Sequence, residues 1–287
     1  MRKGLKNIIK YNINLMLHFT DKLPGGKDKI KNEKIKTLNY FLKYNNIFKL
    51  KEIYNSVIPL HVYTCWHTKV LPPLMKQNYE KLISYNPKMI FHLYDENDCR
   101  EFIKTHFKPD VLDAYDSLIP NAYKSDLWRY CVLFINGGIY IDIKFECINN
   151  FRLIALTEKE HFVRDREPPG GTLNGLLVCK PGNQILFKCI RQIVDNVQKR
   201  FYGDNALCPT GPNLLGLFSS KREKHLMPMY FENAIANGRD NYYIALKRKS
   251  GNDIIILKIY DEYRNEQHLY QQKPYYANLW NEKRIYK

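Results

Sequence analysis

Asp126 and Arg129, three residues apart, and Asp142, Lys144 and Glu146, each two apart, are the side chains of this 287-residue chain best spaced to do chemistry. Carboxylates accept hydrogen bonds from hydroxyls, and ammonium or guanidinium groups neutralise phosphate, so the combination suits a hydroxyl-rich, phosphate-bearing ligand. The first pair lies within Tyr123-Lys124-Ser125-Asp126-Leu127-Trp128-Arg129-Tyr130, where a helix would put both members on one face. Leu127, Tyr130, Cys131 and Phe134 recur at helical spacing, and Val132, Leu133 and Ile135 make the last turns apolar nearly all round. A helix of that kind is buried. On a surface the pair would be a salt bridge worth about 0.5 kcal/mol. In apolar surroundings it costs desolvation that apolar residues would avoid, which favours a pair kept to bind something.

Asn121 is the expected N-cap of this helix and Gly137 the residue just past its end, predicting a helix over 121–136. After Gly137-Gly138 the chain alternates through Glu146 and predicts one strand over 138–146. Tyr140, Asp142, Lys144 and Glu146 then share one face, and Ile139, Ile141, Ile143 and Phe145 the other. The competing reading is an edge strand with a solvated charged face. The short glycine turn argues against it by setting the strand beside the buried helix.

At these residues the chain resembles glycosyltransferase family 32, whose sugar-binding region contains an Asp-any-Asp motif. Ser125-Asp126, Arg129-Tyr130, Gly137-Gly138, Tyr140, Asp142 and Glu146 stand in the family's register. Upstream, Ile58-Pro59-Leu60-His61-Val62-Tyr63-Thr64-Cys65-Trp66 is similar to the family's opening strand, and Asn86-Pro87 with Phe91-His92-Leu93-Tyr94-Asp95 to its second. The resemblance covers about residues 57 to 150. Leu173 to Asn183, Thr210-Gly211-Pro212 and a tryptophan near the end, Trp280, extend it more loosely. Lys144 departs from the pattern: it stands where the family has its second aspartate.

The resemblance implies an α/β fold of the GT-A type, a single nucleotide-sugar-binding domain with a mixed sheet. It also implies transfer of a sugar from a nucleotide-diphosphate donor to a glycan, protein or lipid acceptor, with retention of configuration. Trp66 would flank the nucleotide base, Asp126 and Arg129 would bond donor hydroxyls, and Asp142 would contact ribose, sugar or metal. Tyr140, Lys144 and Asn174 join this donor-binding set, with Trp280 as a lid. Such carboxylates hold Mn²⁺ or Mg²⁺ against the diphosphate, as hard cations want oxygen ligands. Because an ammonium cannot ligate a metal, three outcomes stay open. Glu146 joins Asp142 as ligand, Lys144 itself neutralises the diphosphate, or catalysis is lost and a sugar-nucleotide binder remains. No catalytic nucleophile is nominated, which favours same-face attack guided by the leaving phosphate.

Composition bounds the alternatives. Hydrophobic residues make up 45% of the chain, ample for a core, and no run approaches the roughly 20 apolar residues of a membrane span. Lys10, Asn12 and Asn14 interrupt the N-terminus, which argues against a signal peptide. Leu5, Ile8, Ile9, Ile13 and Leu17 fit one stripe, either packed on the domain or lying on a membrane surface. The net charge of +16 would attract anions. No motif for reading nucleic acid accompanies it, so a basic nucleic-acid or membrane-surface binder ranks last. Seven cysteines without paired short spacing point to free thiols and a reducing, cytoplasmic compartment. Cys65 with His67 is half of a metal site at most, and a core thiol is the expectation.

Residues 1–56 read as a lysine-rich helical extension and 57–287 as the main domain, with 57–150 the donor half and 151–287 the acceptor side. Strands are expected at 57–64, 88–94, 138–146, 160–164, 173–179 and 253–260, and helices at 71–85, 95–106, 121–136 and 183–200. A ligand would then sit at the carboxyl ends of the strands.

Overall fold

A computed structural model describes residues 47–166, 171–219, 229–236, 239–249, 253–271 and 274–287. The chain divides into two units, residues 1–42 with 234–240, and residues 43–233 with 241–287. The stripe from Leu5 to Leu17 and most of the expected helical extension lie outside the described residues. Residues 47–56 are described and are not helical. This segment runs along the domain instead: Phe48 N–H donates to the Asn149 carbonyl at 2.7 Å, and the Phe48 ring meets Phe151 edge-on. Lys51 pairs with Glu158 at 2.5 Å.

The elements are β1 (His61–Cys65), α1 (Pro73–Tyr85), β2 (Ile90–Tyr94), α2 (Glu96–His106), α3 (Pro109–Ser117), α4 (Asn121–Asn136), β3 (Gly138–Ile141), β4 (Phe145–Cys147), β5 (His161–Arg164), β6 (Thr172–Cys179), α5 (Gln184–Gln198), α6 (Pro212–Phe218), β7 (Met229–Ala236), β8 (Arg239–Leu246), β9 (Ile254–Ile259), α7 (Tyr263–Tyr270) and α8 (Tyr276–Asn281). The sheet order is β2-β1-β3-β6-β5-β7-β8-β9-β4. β1 runs parallel to β2 and β3, whereas β3 is antiparallel to β6, and β4 to β9. This is the mixed α/β sheet expected from the sequence.

Period two divides the sheet's side chains between two cores. Tyr140, Leu177 and Cys179 pack with Leu127, Trp128, Tyr130 and Leu133 of α4 and Ile190 of α5. Ile139, Ile141, Leu176 and Val178 face the other way, onto Val62, Phe145, Leu153 and Ile256. The turn from α4 into β3 admits only glycine. Gly137 has φ +63°, and a Cβ there would lie 2.6 Å from Pro181 Cδ; at Gly138, φ +104°, it would lie 2.6 Å from the His61 carbonyl oxygen.

Two local expectations change. α4 begins at Asn121 itself, preceded by Pro120 and without a side-chain cap, so Asn121 is the first helical residue rather than the N-cap. The strand expected over 138–146 is two strands. Asp142 N–H donates to the Gly175 carbonyl, and Phe145 N–H closes back on the Asp142 carbonyl at 3.0 Å, so Asp142-Ile143-Lys144 is a turn. Phe145 then enters the second core and β4 pairs with β9. The common face of Tyr140, Asp142, Lys144 and Glu146 is therefore broken.

That turn is held from outside. Asn78 of α1 donates through Nδ2 to the carbonyls of Ile143 and Phe145, both at 3.1 Å, and Tyr260 N–H donates to the Lys144 carbonyl. α1 itself has no local cap. Its orphan N–H groups at Leu74 and Met75 are taken, at 2.8 Å each, by the buried carboxylate of Glu266 in α7. An anion at a helix N-terminus also complements the macrodipole. This contact fixes the tyrosine-rich tail on the domain.

Candidate functional site

A cavity of about 290 Å³ opens beyond the carboxyl ends of β1 and β3. Its floor carries Arg129, Tyr140, Asp142 and Lys144, and its walls include Trp66, Lys124, Tyr263 and Arg264. The position follows from topology, because the ends of parallel neighbours leave a crevice that helices cannot fill.

Arg129 is the hub. Its Nη1 donates to the Asn174 carbonyl at 2.8 Å, Nη2 to Ser125 Oγ at 2.8 Å and Nε to the Ser125 carbonyl at 3.2 Å. The guanidinium stacks over the Tyr140 ring at 4.3 Å and lies 3.4 Å from Asp126 and 3.7 Å from Asp142. Behind it, Asp126 accepts from Asn174 Nδ2 at 3.0 Å and Thr210 Oγ1 at 2.8 Å. Asn174 Nδ2 also donates to Tyr130 Oη, which donates to the Thr210 carbonyl. This polar ring is closed and buried, the arrangement in which low local dielectric strengthens each bond.

In front of the hub, Asp142 accepts from Tyr140 Oη at 2.8 Å on one carboxylate oxygen and from Lys144 Nζ at 2.7 Å on the other. Burial alone would raise the Asp142 carboxyl, but the Lys144 ammonium and the Arg129 guanidinium together hold it well below the usual carboxylate range. Asp126 moves the opposite way. Burial raises it, and Arg129, Asn174 and Thr210 offset that only in part. The second cation beside Asp142 makes the difference.

The structure brings Trp66, Arg129, Tyr140, Asp142 and Lys144 to one cavity. Asp126 and Asn174 do not line it; they are buried behind Arg129 and act on the cavity by fixing that guanidinium. Trp280 does not line it either, since its Nε1–H donates to the Tyr202 carbonyl and its ring meets Lys283. Tyr263, Tyr275 and Tyr276 of the tail stand at the cavity instead. Glu146 is engaged elsewhere, by Lys81 at 2.8 Å and Lys258 at 3.1 Å, because the turn at 142–144 re-aims the chain.

Several lining residues escaped the sequence reading. Lys124 pairs with Glu96 at 2.6 Å on the wall, Ser125 orients Arg129, and Arg264 comes from the far end of the chain. The i,i+4 spacing of Ser125 and Arg129 was a usable signal; nothing in the sequence tied Arg264 to this place. Cys65 packs against the first core, as expected, and also lines the cavity, 3.0 Å from Ser125 Oγ. A hydrogen bond from Cys99 lowers the Cys65 thiol's pKa against the effect of burial, with help from Arg129.

The donor set does not fit a divalent cation. A divalent ion that shares a diphosphate still takes one or two carboxylates from the protein; among the described residues no three His, Cys, Asp or Glu side chains converge, and the carboxylate on the cavity floor is Asp142. Both Asp142 oxygens already accept from protein donors. A divalent ion about 4 Å from the Lys144 ammonium would meet roughly 8 kcal/mol of repulsion at an effective dielectric near 20.

Residues 72–162 match the family described as a glycosyltransferase sugar-binding region containing a DXD motif. The matched segment makes up about a third of the chain. It supplies Lys124, Arg129, Tyr140, Asp142 and Lys144, whereas Trp66, Asn174 and the tail residues lie outside it. The chain is 28% identical over 163 residues to inositol phosphoceramide mannosyltransferase 3 of Schizosaccharomyces pombe, covering 54% of this chain and 45% of that one. It is 28% identical over 211 residues to a mannosyl phosphorylinositol ceramide synthase of Saccharomyces cerevisiae, covering 70% and 54%. The chain thus spans about half the length of these relatives. A solved structure, PaToxG glycosyltransferase, is 19% identical with a TM-score of 0.48, covering 70% of this chain and 78% of that one.

Proposed function

We propose that this protein transfers a hexose from a nucleotide-diphosphate donor to an acceptor hydroxyl, with retention of configuration. The observation that carries the reading is the convergence of Arg129, Asp142 and Lys144 on one cavity floor within the sugar-binding region. Trp66 offers an aromatic face to the base. Asp142, held anionic, accepts from ribose or sugar hydroxyls, and Arg129 and Lys144 receive the diphosphate.

The chemistry is same-face substitution. The acceptor oxygen bonds to the anomeric carbon as the bond from that carbon to the phosphate oxygen breaks, and the acceptor's proton passes to the departing phosphate. Stabilising that growing charge supplies most of the rate. No carboxylate is assigned as nucleophile, since Asp142 is ion-paired and Asp126 is walled off behind Arg129. Two relatives carry mannosyltransferase or mannosyl in their names together with inositol lipids. Mannose as the donor sugar and an inositol-type polyol on a lipid headgroup as acceptor are therefore the first pair to test. Reduced surroundings suit the chain, whose seven cysteines are all free thiols in this structure. Among the described residues no helix is long and apolar enough to cross a membrane.

The test is a thermal-shift panel of GDP- and UDP-sugars followed by mass analysis of products with polyol and lipid acceptors. A donor-specific rise in Tm and a product one hexose heavier are expected, both lost in Asp142→Asn. Silence toward every donor would sink the proposal. Binding without turnover would leave a sugar-nucleotide receptor.

A further inference from the structure

We infer that Lys144 is a resident cation that takes the place of a metal ion, so that the site binds the donor's diphosphate without a divalent cation. The inference rests on the donor-binding reading above and specifies how that site handles charge. Its first support is the carboxylate itself: each oxygen of Asp142 already accepts from a protein donor, one from Lys144 at 2.7 Å and the other from Tyr140 at 2.8 Å. Glu146, the other acid that the sequence offers, is committed to Lys81 and Lys258.

The second support is independent and concerns the backbone. Lys144 does not sit on a loose loop. Its own carbonyl accepts from Tyr260 N–H, and the carbonyls on either side accept from Asn78 Nδ2. The stem runs beside the Phe145 ring, with the ammonium 5.4 Å from the centroid. The backbone that carries the ammonium is thus fixed at the cavity, with Nζ 2.7 Å from Asp142.

Charge balance agrees. Arg129 and Lys144 carry two positive charges against Asp142 on the floor and Asp126 buried behind it, so the cluster is neutral before ligand arrives. Lys124 and Arg264 add cations on the wall, with Glu96 facing Lys124. A diphosphate can exchange with Asp142 for the ammonium as a point-charge partner, as lysines do in other phosphate sites. The ligand class is therefore a nucleoside diphosphate or its sugar ester, bound metal-free.

Isothermal titration of GDP, UDP and their hexose esters, in EDTA and in Mn²⁺, tests this. Wild-type protein is expected to bind its nucleotide in EDTA within about threefold of its affinity in Mn²⁺. Lys144→Met should weaken binding at least about tenfold in EDTA, and Lys144→Arg should recover most of it. Lys144→Asp should bind only with Mn²⁺, and should bring protein-bound Mn²⁺ signals by electron paramagnetic resonance that wild type lacks. That gain of metal binding cannot be mimicked by misfolding. Wild-type binding that requires Mn²⁺ would overturn the inference while leaving the donor site standing. No nucleotide binding in either buffer would overturn both.

Discussion

Arg129 links everything that the site contains, and its removal separates structure from function. It touches Asp126, Asp142, Ser125, Asn174 and Tyr140. Arg129→Met leaves two buried carboxylates short of a partner, and breaking such a pair costs about 3–5 kcal/mol. Chemical denaturation should show a loss of that size, and donor binding should vanish with it. Asp126 and Arg129 were legible as a pair because three-residue spacing on a helix fixes a common face. That Asp126 faces away from ligand was not legible, because Asn174 and Thr210, which hold it there, come from distant segments. Cys65 supplies a second probe. Its thiol is lowered and lines the cavity, whereas Cys131, Cys179 and Cys189 are buried with their thiols raised by burial. Iodoacetamide at neutral pH is expected to label Cys65 ahead of those three, and bound nucleotide should protect it. Equal labelling with and without nucleotide would place the ligand elsewhere.

At the scale of elements, the site depends on a long-range cap. Glu266 of α7 serves the first N–H groups of α1 and accepts from Tyr260 Oη at 2.8 Å. α1 carries Asn78, which holds the turn bearing Lys144. Glu266→Ala should therefore cost about 1–3 kcal/mol as buried donors lose their acceptor. It should also weaken nucleotide binding, although Glu266 does not line the cavity. An unchanged Tm and unchanged affinity would show that the tail is held by other contacts. The helices expected at 121–136 and 183–200 are present because their apolar spacing and terminal signals agree. α7, α8, β7 and β8 went unread, since polar and tyrosine-rich segments become regular only against the rest of the fold.

For the molecule as a whole, pH reports how charge is buried. His161 sits inside β5, and burial, reinforced by Lys159, pushes it down from 6.5 to about 4. Its neutral form is native, while the unfolded chain takes up a proton near 6.5. Stability from this group is thus complete above pH 6.5 and is lost as pH falls through 4. The loss should approach about 3 kcal/mol, and His161→Gln should flatten that limb of a stability–pH curve. Below that window Asp142, depressed in the folded state, subtracts further, whereas Asp126, raised, adds stability as pH falls toward its unfolded value and so acts above that point. A His161→Gln curve that keeps the wild-type slope between pH 6.5 and 4 would refute the burial of a neutral imidazole.

Sequence alone determined the segments whose period is internal to them: a buried helix with an acid and a guanidinium on one face, a glycine turn, and the start of the strand that leads to Asp142. Local sterics and hydrophobic spacing suffice for these, and they carried the resemblance that the family match bears out. Only the tertiary structure decided that the alternating run breaks at Asp142-Ile143-Lys144, that Glu146 turns toward Lys81 and Lys258, and that α7 rather than Trp280 walls the cavity. Each of these choices is set by a partner far along the chain, through Gly175, Asn78, Tyr260 and Glu266. Such pairings have no signature in residue spacing, because the free energy that selects them exists only once the sheet has closed around them.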